Sequence, residues 1–403
     1  MKTILCIATL DTKGSELQYL KELIEKRGHA TLVMDVGSFG EPPFTPFITA
    51  EEVARAASSN IDKVRTLNSG EAVPVMTAGA VRIVRDLYAS RKFDGVISIG
   101  GGMGSAIASA AMRELPVGIP KFILSSQKIV QAGIRGYVGA SDIVIMPSVA
   151  DIAGLNRLTR QSLNNAAGAV VGMVESAEEV DTEKPIVFMT MVGSISRCGL
   201  RVRALLEEHG LEVIIFHSIG IGGMTLENLV KSYPVRLVVE LGLNEIGNEL
   251  FGGLASAGPH RLEAAGEKGI PQIVIPGNID FINFLSLETV PERYRKRKYH
   301  AHNPQATGLK LMADEMIQVG ETIARKLNLA GGPVKVLIPT RGFSDIGVEG
   351  GVFFDPGADR AFIQALTASL HKSIEVTKVD ANINDDAFAQ KIADKSLDLM
   401  KLG

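Results

Sequence analysis

Residues Thr3 to Gly37 read TILCIATLDTKGSELQYLKELIEKRGHATLVMDVG. An apolar run of strand length, TILCIATL, meets a short polar loop, and SELQYLKELIEKRG then places apolar residues at helical spacing. Gly28 stops that helix, and ATLVMDVG starts a second strand. Strand, loop, helix and strand in this order describe a parallel β-α-β unit, because two strands running the same way need a long crossover.

The layout returns once. PIVFMTMVGSISRCGLRVRALLEEHGLEVIIFHSIG, Pro185 to Gly220, repeats it at the offset of 182 that separates Gly28 from Gly210. By that offset Asp35 matches His217, Asp11 matches Gly193, and Ile195 stands where the first copy has Lys13. Such a match suggests duplication of one α/β module with different chemistry at equivalent loops.

Further strand-like runs follow in both halves: FDGVISIG, PKFILSS and DIVIMPS in the first, then VRLVVELG, PQIVIPG, VKVLIPT and SIEVTKV in the second. Helical patterns separate most of them. They include TAEEVARAASS with a capping box from Thr49 to Glu52, a helix over about Asp151 to Glu175, and in the second half PHRLEAAGEKG and QATGLKLMADEMIQVGETIARKLN. The expected fold is α/β: two Rossmann-like doubly wound domains, each a mostly parallel sheet covered by helices. Their expected extents are residues 1–178 and 185–403, joined through the polar stretch ESAEEVDTEK. A chain of 403 residues fits two such cores, since one domain usually takes roughly 100 to 200 residues.

Composition narrows the class. The net charge of -3 and the lone short basic run RYRKRK, Arg293 to Lys298, argue against nucleic acid as a partner. No apolar run approaches the roughly 20 residues of a membrane span, and no signal peptide precedes the first strand. Two cysteines, Cys6 and Cys198, stand far from any metal-ligand spacing. A cytoplasmic protein is the expectation, with a homodimer as the default assembly.

In an open parallel sheet, ligands collect at the carboxyl ends of the strands, where helix amino termini favour anions. ISIGGGMGS ends a strand on Gly100, Gly101 and Gly102 and opens a helix at Gly104 and Ser105. Those glycines allow close approach to a phosphate; the plain alternative is a tight turn. The run lacks the lysine of a Walker A loop. In LDTKG, Lys13 offers a point charge, Thr9 and Thr12 offer hydroxyls, and Asp11 either caps the helix or holds the lysine. Asp35 ends the second strand, a position suited to ribose hydroxyls. Ser125 and Ser126 in LSSQ, with Ser141 and Asp142 in GASD, are read as further strand-end loops that complete the pocket.

Polar residues of another kind gather in the second half. His217, His300 and His302 are candidates for proton transfer, and Arg261, Asn303 and Arg341 for holding a small anionic substrate in a cleft between the domains. On a helix His300 and His302 would face different ways, and no third ligand is spaced to complete a zinc motif, so no metal site is assigned.

Together, IATLDTKGSEL, ISIGGGMGSAIASAAMRELPVGIPK, YVGASDIVIMPSVADIAGLN, FHSIGIGG and YHAHNPQAT resemble the Tm-1-like ATP-binding protein family, the uncharacterised UPF0261 group. The resemblance runs from about Thr3 to the carboxyl terminus. It implies two Rossmann-like domains with ATP in the first, held by Lys13 and its neighbours, the GGGMGS loop and the Ser125/Ser126 and Ser141/Asp142 turns. Magnesium is an expected companion of ATP. A plant member carries a further TIM-barrel-like domain, so a separate partner chain of that kind is one expectation. An Arg-Gly pair often found in the family is TAGAV here, Thr77 to Val81, so that arginine is missing. The functional expectation is an ATP-binding metabolic enzyme acting on a small anion. An ATP-independent epimerase or lyase, and an interaction module that ATP only stabilises, stand as its rivals.

Overall fold

The computed structural model describes residues 1–126, 129, 131, 133–178 and 183–401. The chain divides into two compact units, Met1–Asp181 and Thr182–Gly403. Residues 179–182, inside the expected linker, lie outside the described residues.

The first unit is built on five parallel strands, β1 (Thr3–Ala8), β2 (Ala30–Asp35), β3 (Gly95–Gly100), β4 (Lys121–Ser125) and β5 (Val144–Pro147). Their order across the sheet is β2-β1-β3-β4-β5. Alternation along β1 shows why the sheet is covered twice. Leu5 and Ile7 join a core with Val53, Met76, Ala80 and Ile107, while Ile4, Cys6 and Ala8 point the other way into a core with Leu17, Leu20, Leu163 and Val170. The helix expected from Asp151 begins only at Arg157, where the Asn156 side chain accepts from the amides of Leu158 and Thr159.

The second unit repeats the winding. Its six parallel strands are β6 (Ile186–Met191), β7 (Glu212–His217), β8 (Val235–Gly242), β9 (Gln272–Gly277), β13 (Val334–Pro339) and β14 (Glu375–Val379). Read from one edge, β7-β6-β8-β9-β13-β14 has the same crossover pattern as the first sheet, with one strand added. Between β9 and β13 the chain inserts an antiparallel sheet of β10 (Phe281–Phe284), β11 (Tyr299–Asn303) and β12 (Ala306–Lys310), in the order β10-β12-β11. The sequence reading put a helix across QATGLK; the structure has a hairpin there, and the helix starts at Ala313. The Asn303 side chain accepts from the Gln305 amide and so closes the turn before β12. PHRLEAAGEKG likewise keeps only a short helix, Ala264–Glu267.

One buried acid of this unit has a measurable consequence. Asp359 lies in the helix Pro356–Ser369, 8% exposed, and burial pushes its carboxyl up to about 7 against the opposing charge of Lys310. A carboxyl that is harder to ionise in the folded state lowers stability as pH rises from about 4 to about 7, by roughly 1.4 kcal/mol per pH unit, and no further above that. Asp359→Asn should match the native chain near pH 4 and be up to about 4 kcal/mol more stable above pH 7 in urea melts. A pH-independent difference would exclude this origin.

Candidate functional site

The order β2-β1-β3 reverses direction between β1 and β3, so the loops leaving these two strands part and open a crevice at their carboxyl ends. LDTKG and GGGMGS are those loops. A cleft of about 240 Å³ lies between them, lined by Thr9, Asp11, Thr12 and Lys13 on one side and by Gly101, Gly102, Met103 and Gly104 on the other. The two walls touch: a methyl group added at Gly104 would stand 3.6 Å from Thr9 Cγ2.

Local structure explains the pose of Lys13. Thr9 precedes the helix Leu10–Glu25, and its carbonyl accepts from the Thr12 and Lys13 amides at 3.1 and 2.8 Å. The two threonine hydroxyls share a hydrogen bond of 2.9 Å. Lys13 then leaves helical geometry, with φ -128° and ψ 16°, and the helix resumes beyond it. Among the described residues its ammonium has no ion-pair or hydrogen-bond partner. Gly14 can follow because Pro43 packs onto its bare Cα; a methyl group there would fall 2.3 Å from Pro43 Cγ.

Asp11 neither caps the helix nor holds the lysine: its Oδ2 accepts from the Phe39 amide at 3.0 Å, tying the loop after β2 to this wall. The capping role belongs to Asp35. Its Oδ1 accepts from the amides of Leu10 and Gly37, at 2.9 and 2.8 Å, and the side chain is 2% exposed. Burial raises its carboxyl above the usual range, with those amides opposing. Asp35 therefore shapes the loop instead of facing a ribose.

The other expected contacts separate into two groups. Gly100 is buried, its carbonyl accepting from the Ser126 amide at 3.0 Å, and the hydroxyls of Ser105 and Ser125 bond each other at 2.9 Å with neither residue exposed. These residues lock the Gly-loop helix onto β4 behind the cleft. Ser126 is 8% exposed beside Gly101, and Gln127 of the same turn lies outside the described residues. Ser141 and Asp142 belong to the opposite edge of the sheet. They precede β5, and the Asp142 carboxylate accepts from Lys121 Nζ and from the Gly118 amide near the start of β4. A strand's length, roughly 15 Å, separates that edge from the cleft. GASD precedes a strand instead of following one.

Sequence reasoning missed the apolar rest of the cleft: Val36, Phe39, Val73, Met76, Met103 and Ile107. Phe39 and Met103 are half exposed, and their meeting at the cleft joins loops 64 residues apart, for which the sequence carried no signal.

In the second unit Arg261 is fully buried. Its Nε donates to Glu245 at 2.6 Å, Nη1 to Glu227 and Glu240 at 3.0 and 2.7 Å, and Nη2 to Glu240. All these donors are used inside the fold, so Arg261 is a structural hub and not a substrate contact. Glu245 Oε1 also accepts from the amides of Gly220 and Gly223, at 2.6 and 3.1 Å. A methyl group at Gly223 would fall 2.0 Å from Glu245 Oε2, so only glycine fits. Thus the amides of FHSIGIGG meet an internal carboxylate.

His217 is exposed at the end of β7. His300 and His302 lie on β11, a strand and not a helix, whose register with β12 shifts between Ala301 and Asn303; their ring centroids are 6.5 Å apart. Asn303 serves the hairpin turn, and Arg341, on the loop after β13, pairs with Asp380 at 3.3 Å. No group of three His, Cys, Asp or Glu side chains suited to a metal occurs among the described residues. No helix among them is long and apolar enough to cross a membrane.

Comparison with known proteins gives the following. The uncharacterised protein family UPF0261 matches through its N-terminal domain over residues 2–179 and through its C-terminal domain over residues 184–400. A UPF0261 protein of Clostridium tetani is 40% identical over 403 residues, covering 99% of each chain. The ToMV resistance protein Tm-1(GCR237) of Solanum lycopersicum is 30% identical over 98% of this chain and 55% of its own length. Among solved structures, the UDP-N-acetylglucosamine 2-epimerase of Rickettsia bellii aligns over 100% of this chain and 98% of its own, at 12% identity and a TM-score of 0.25, too slight a likeness to carry an argument.

Proposed function

This chain belongs to the uncharacterised protein family UPF0261, and we propose that its N-terminal unit binds ATP at the β1/β3 crevice. The observation that carries this reading is Lys13: a cation without a partner among the described residues, held out of helical geometry across from the Gly101–Gly104 loop. The helix Gly102–Met112 begins on that loop, so free amides and the positive end of its dipole face the same space as the lysine. Lys13, the glycine-loop amides and the Thr9/Thr12 hydroxyls hold the phosphates, and the base lies against Phe39 and Met103. A magnesium ion would be held mainly by phosphates and water, with Asp11 the carboxylate at the cleft.

Thermal denaturation with ligand tests this. ATP at about 100 times its Kd adds about 2.7 kcal/mol to a state that binds it, which for a unit of this size raises Tm by roughly 5 to 10 °C. Stabilisation by sugar phosphates with none by ATP would overturn the reading in favour of an enzyme that needs no ATP.

A further inference from the structure

The second unit holds a polar centre that the histidines do not mark. Lys310 ends β12 and is 5% exposed, yet its Nζ has no hydrogen-bond partner and no ion pair among the described residues. A buried ammonium without acceptors costs several kcal/mol unless something else satisfies it. Two acids stand near enough for its charge to act on both, Asp280 and Asp359. Asp280 is itself 1% exposed: Oδ2 accepts from Ser344 Oγ at 2.8 Å, and Oδ1 has no partner among the described residues. An orphan donor and an orphan acceptor in one buried cluster leave a place for a polar group the chain does not supply.

Loops at the ends of the parallel strands surround this cluster. Asp280 follows β9, and Ser344 follows β13, at the carboxyl edge of the parallel sheet. Asn278, two residues earlier, adopts φ 58°, a left-handed conformation that asparagine takes more readily than other non-glycine residues. It is held there by its amide, which donates to the Phe343 carbonyl at 2.7 Å, and by Ser194 Oγ on its side chain. Loops after β6, β9 and β13 thus converge, and Phe281, next after Asp280, pairs with Lys310 across β10 and β12.

Lys310 also lines a pocket of about 530 Å³. Lys296 and Lys298 stand at its wall, and the Lys298 carbonyl accepts from the Lys310 amide at 3.1 Å. Phe353 and Phe354 supply an apolar side. Arg297 is taken by Glu315 through two hydrogen bonds, at 2.6 and 2.9 Å, and Asp355 is taken by the amides that begin the helix Pro356–Ser369. What remains to face a ligand is three lysines against one carboxylate, Asp355, of which only Oδ1 is engaged by the helix amides.

We propose that this pocket is a second binding site, for a small organic anion whose carboxylate or phosphate group is received by Lys310, with Lys296 and Lys298 drawing it in. The site lies wholly within the second unit and stands independently of ATP binding by the first.

Isothermal titration calorimetry of the full chain tests the proposal, with inorganic phosphate in one arm and malonate in the other. Both arms use the Lys13→Ala chain, so that an anion in the first unit does not mask the second. Saturable binding in either arm is expected, and the arm that binds identifies the group. Lys310→Met should weaken it at least about ten-fold, and the exposed-charge double variant Lys296→Gln/Lys298→Gln by about three-fold. Where Lys310→Met fails to fold, the double variant decides. No saturable binding in both arms, or affinity unchanged in the double variant, overturns the site.

Discussion

Lys13→Ala is expected to weaken ATP binding at least about 100-fold while leaving the ligand-free chain nearly as stable as before. The two halves of this expectation have one cause. A lysine that pairs with none of the described residues contributes nothing through such pairing, so its removal costs little beyond its half-buried stem. The same lysine meeting a phosphate makes a charge-assisted hydrogen bond in a cleft where water is partly excluded, worth about 1.5 to 3 kcal/mol by itself and more against a polyanion. Lys13→Arg keeps the charge but changes its shape, and should retain part of the affinity. ATP affinity unchanged in Lys13→Ala would remove the nucleotide from this crevice.

The comparison between repeats says why the first unit should be the one to hold a nucleotide. Where the first copy has Lys13 the second has Ile195, fully buried in the apolar core. Where the first copy's β3 loop is glycine with open amides, the loop after β8 brings Glu245. That carboxylate already occupies the amides of Gly220 and Gly223, so the second copy fills with its own side chain a position suited to an anion.

Most of the fold was legible because doubly wound sheets leave a strong trace: mostly apolar strands, glycine at several strand ends, and a repeat whose offset aligns β2 and β7 residue for residue. The antiparallel insertion was not legible, since β12 is only five residues long and runs almost directly into a helix of similar polarity. Within the site, sequence could say which loops carry glycine and lysine but not which way a carboxylate turns. Asp35 and Arg261 look like ligand contacts from their types and positions, yet both point inward and spend their hydrogen bonds on the chain. Lys310 shows the reverse: nothing in GLKLM distinguishes it from a surface lysine, and only burial without a partner does.

Arg261→Leu should destabilise the second unit by at least about 3 to 5 kcal/mol, enough to unfold it in many conditions where the native chain is folded. Leucine fills much of the space, so loss of packing is the smaller part. The larger part is that Glu227, Glu240 and Glu245 are 7%, 1% and 0% exposed and lose the cation they share. Burial already holds the Glu245 carboxyl above its usual range even with Arg261 beside it. Without the guanidinium the three acids must either ionise unpaired in the core or take up protons, and both cost stability at neutral pH. The deficit should therefore shrink as pH falls and the acids are protonated, the opposite of a simple cavity, whose cost is nearly independent of pH. Arg261→Lys should recover little, because one ammonium cannot reach three carboxylates that a planar fork meets at separate nitrogens. Chemical unfolding of the three chains at pH 5 and pH 8 separates these cases; an Arg261→Leu chain within about 1 kcal/mol of native at pH 8 would show that the cluster is not what holds this half together.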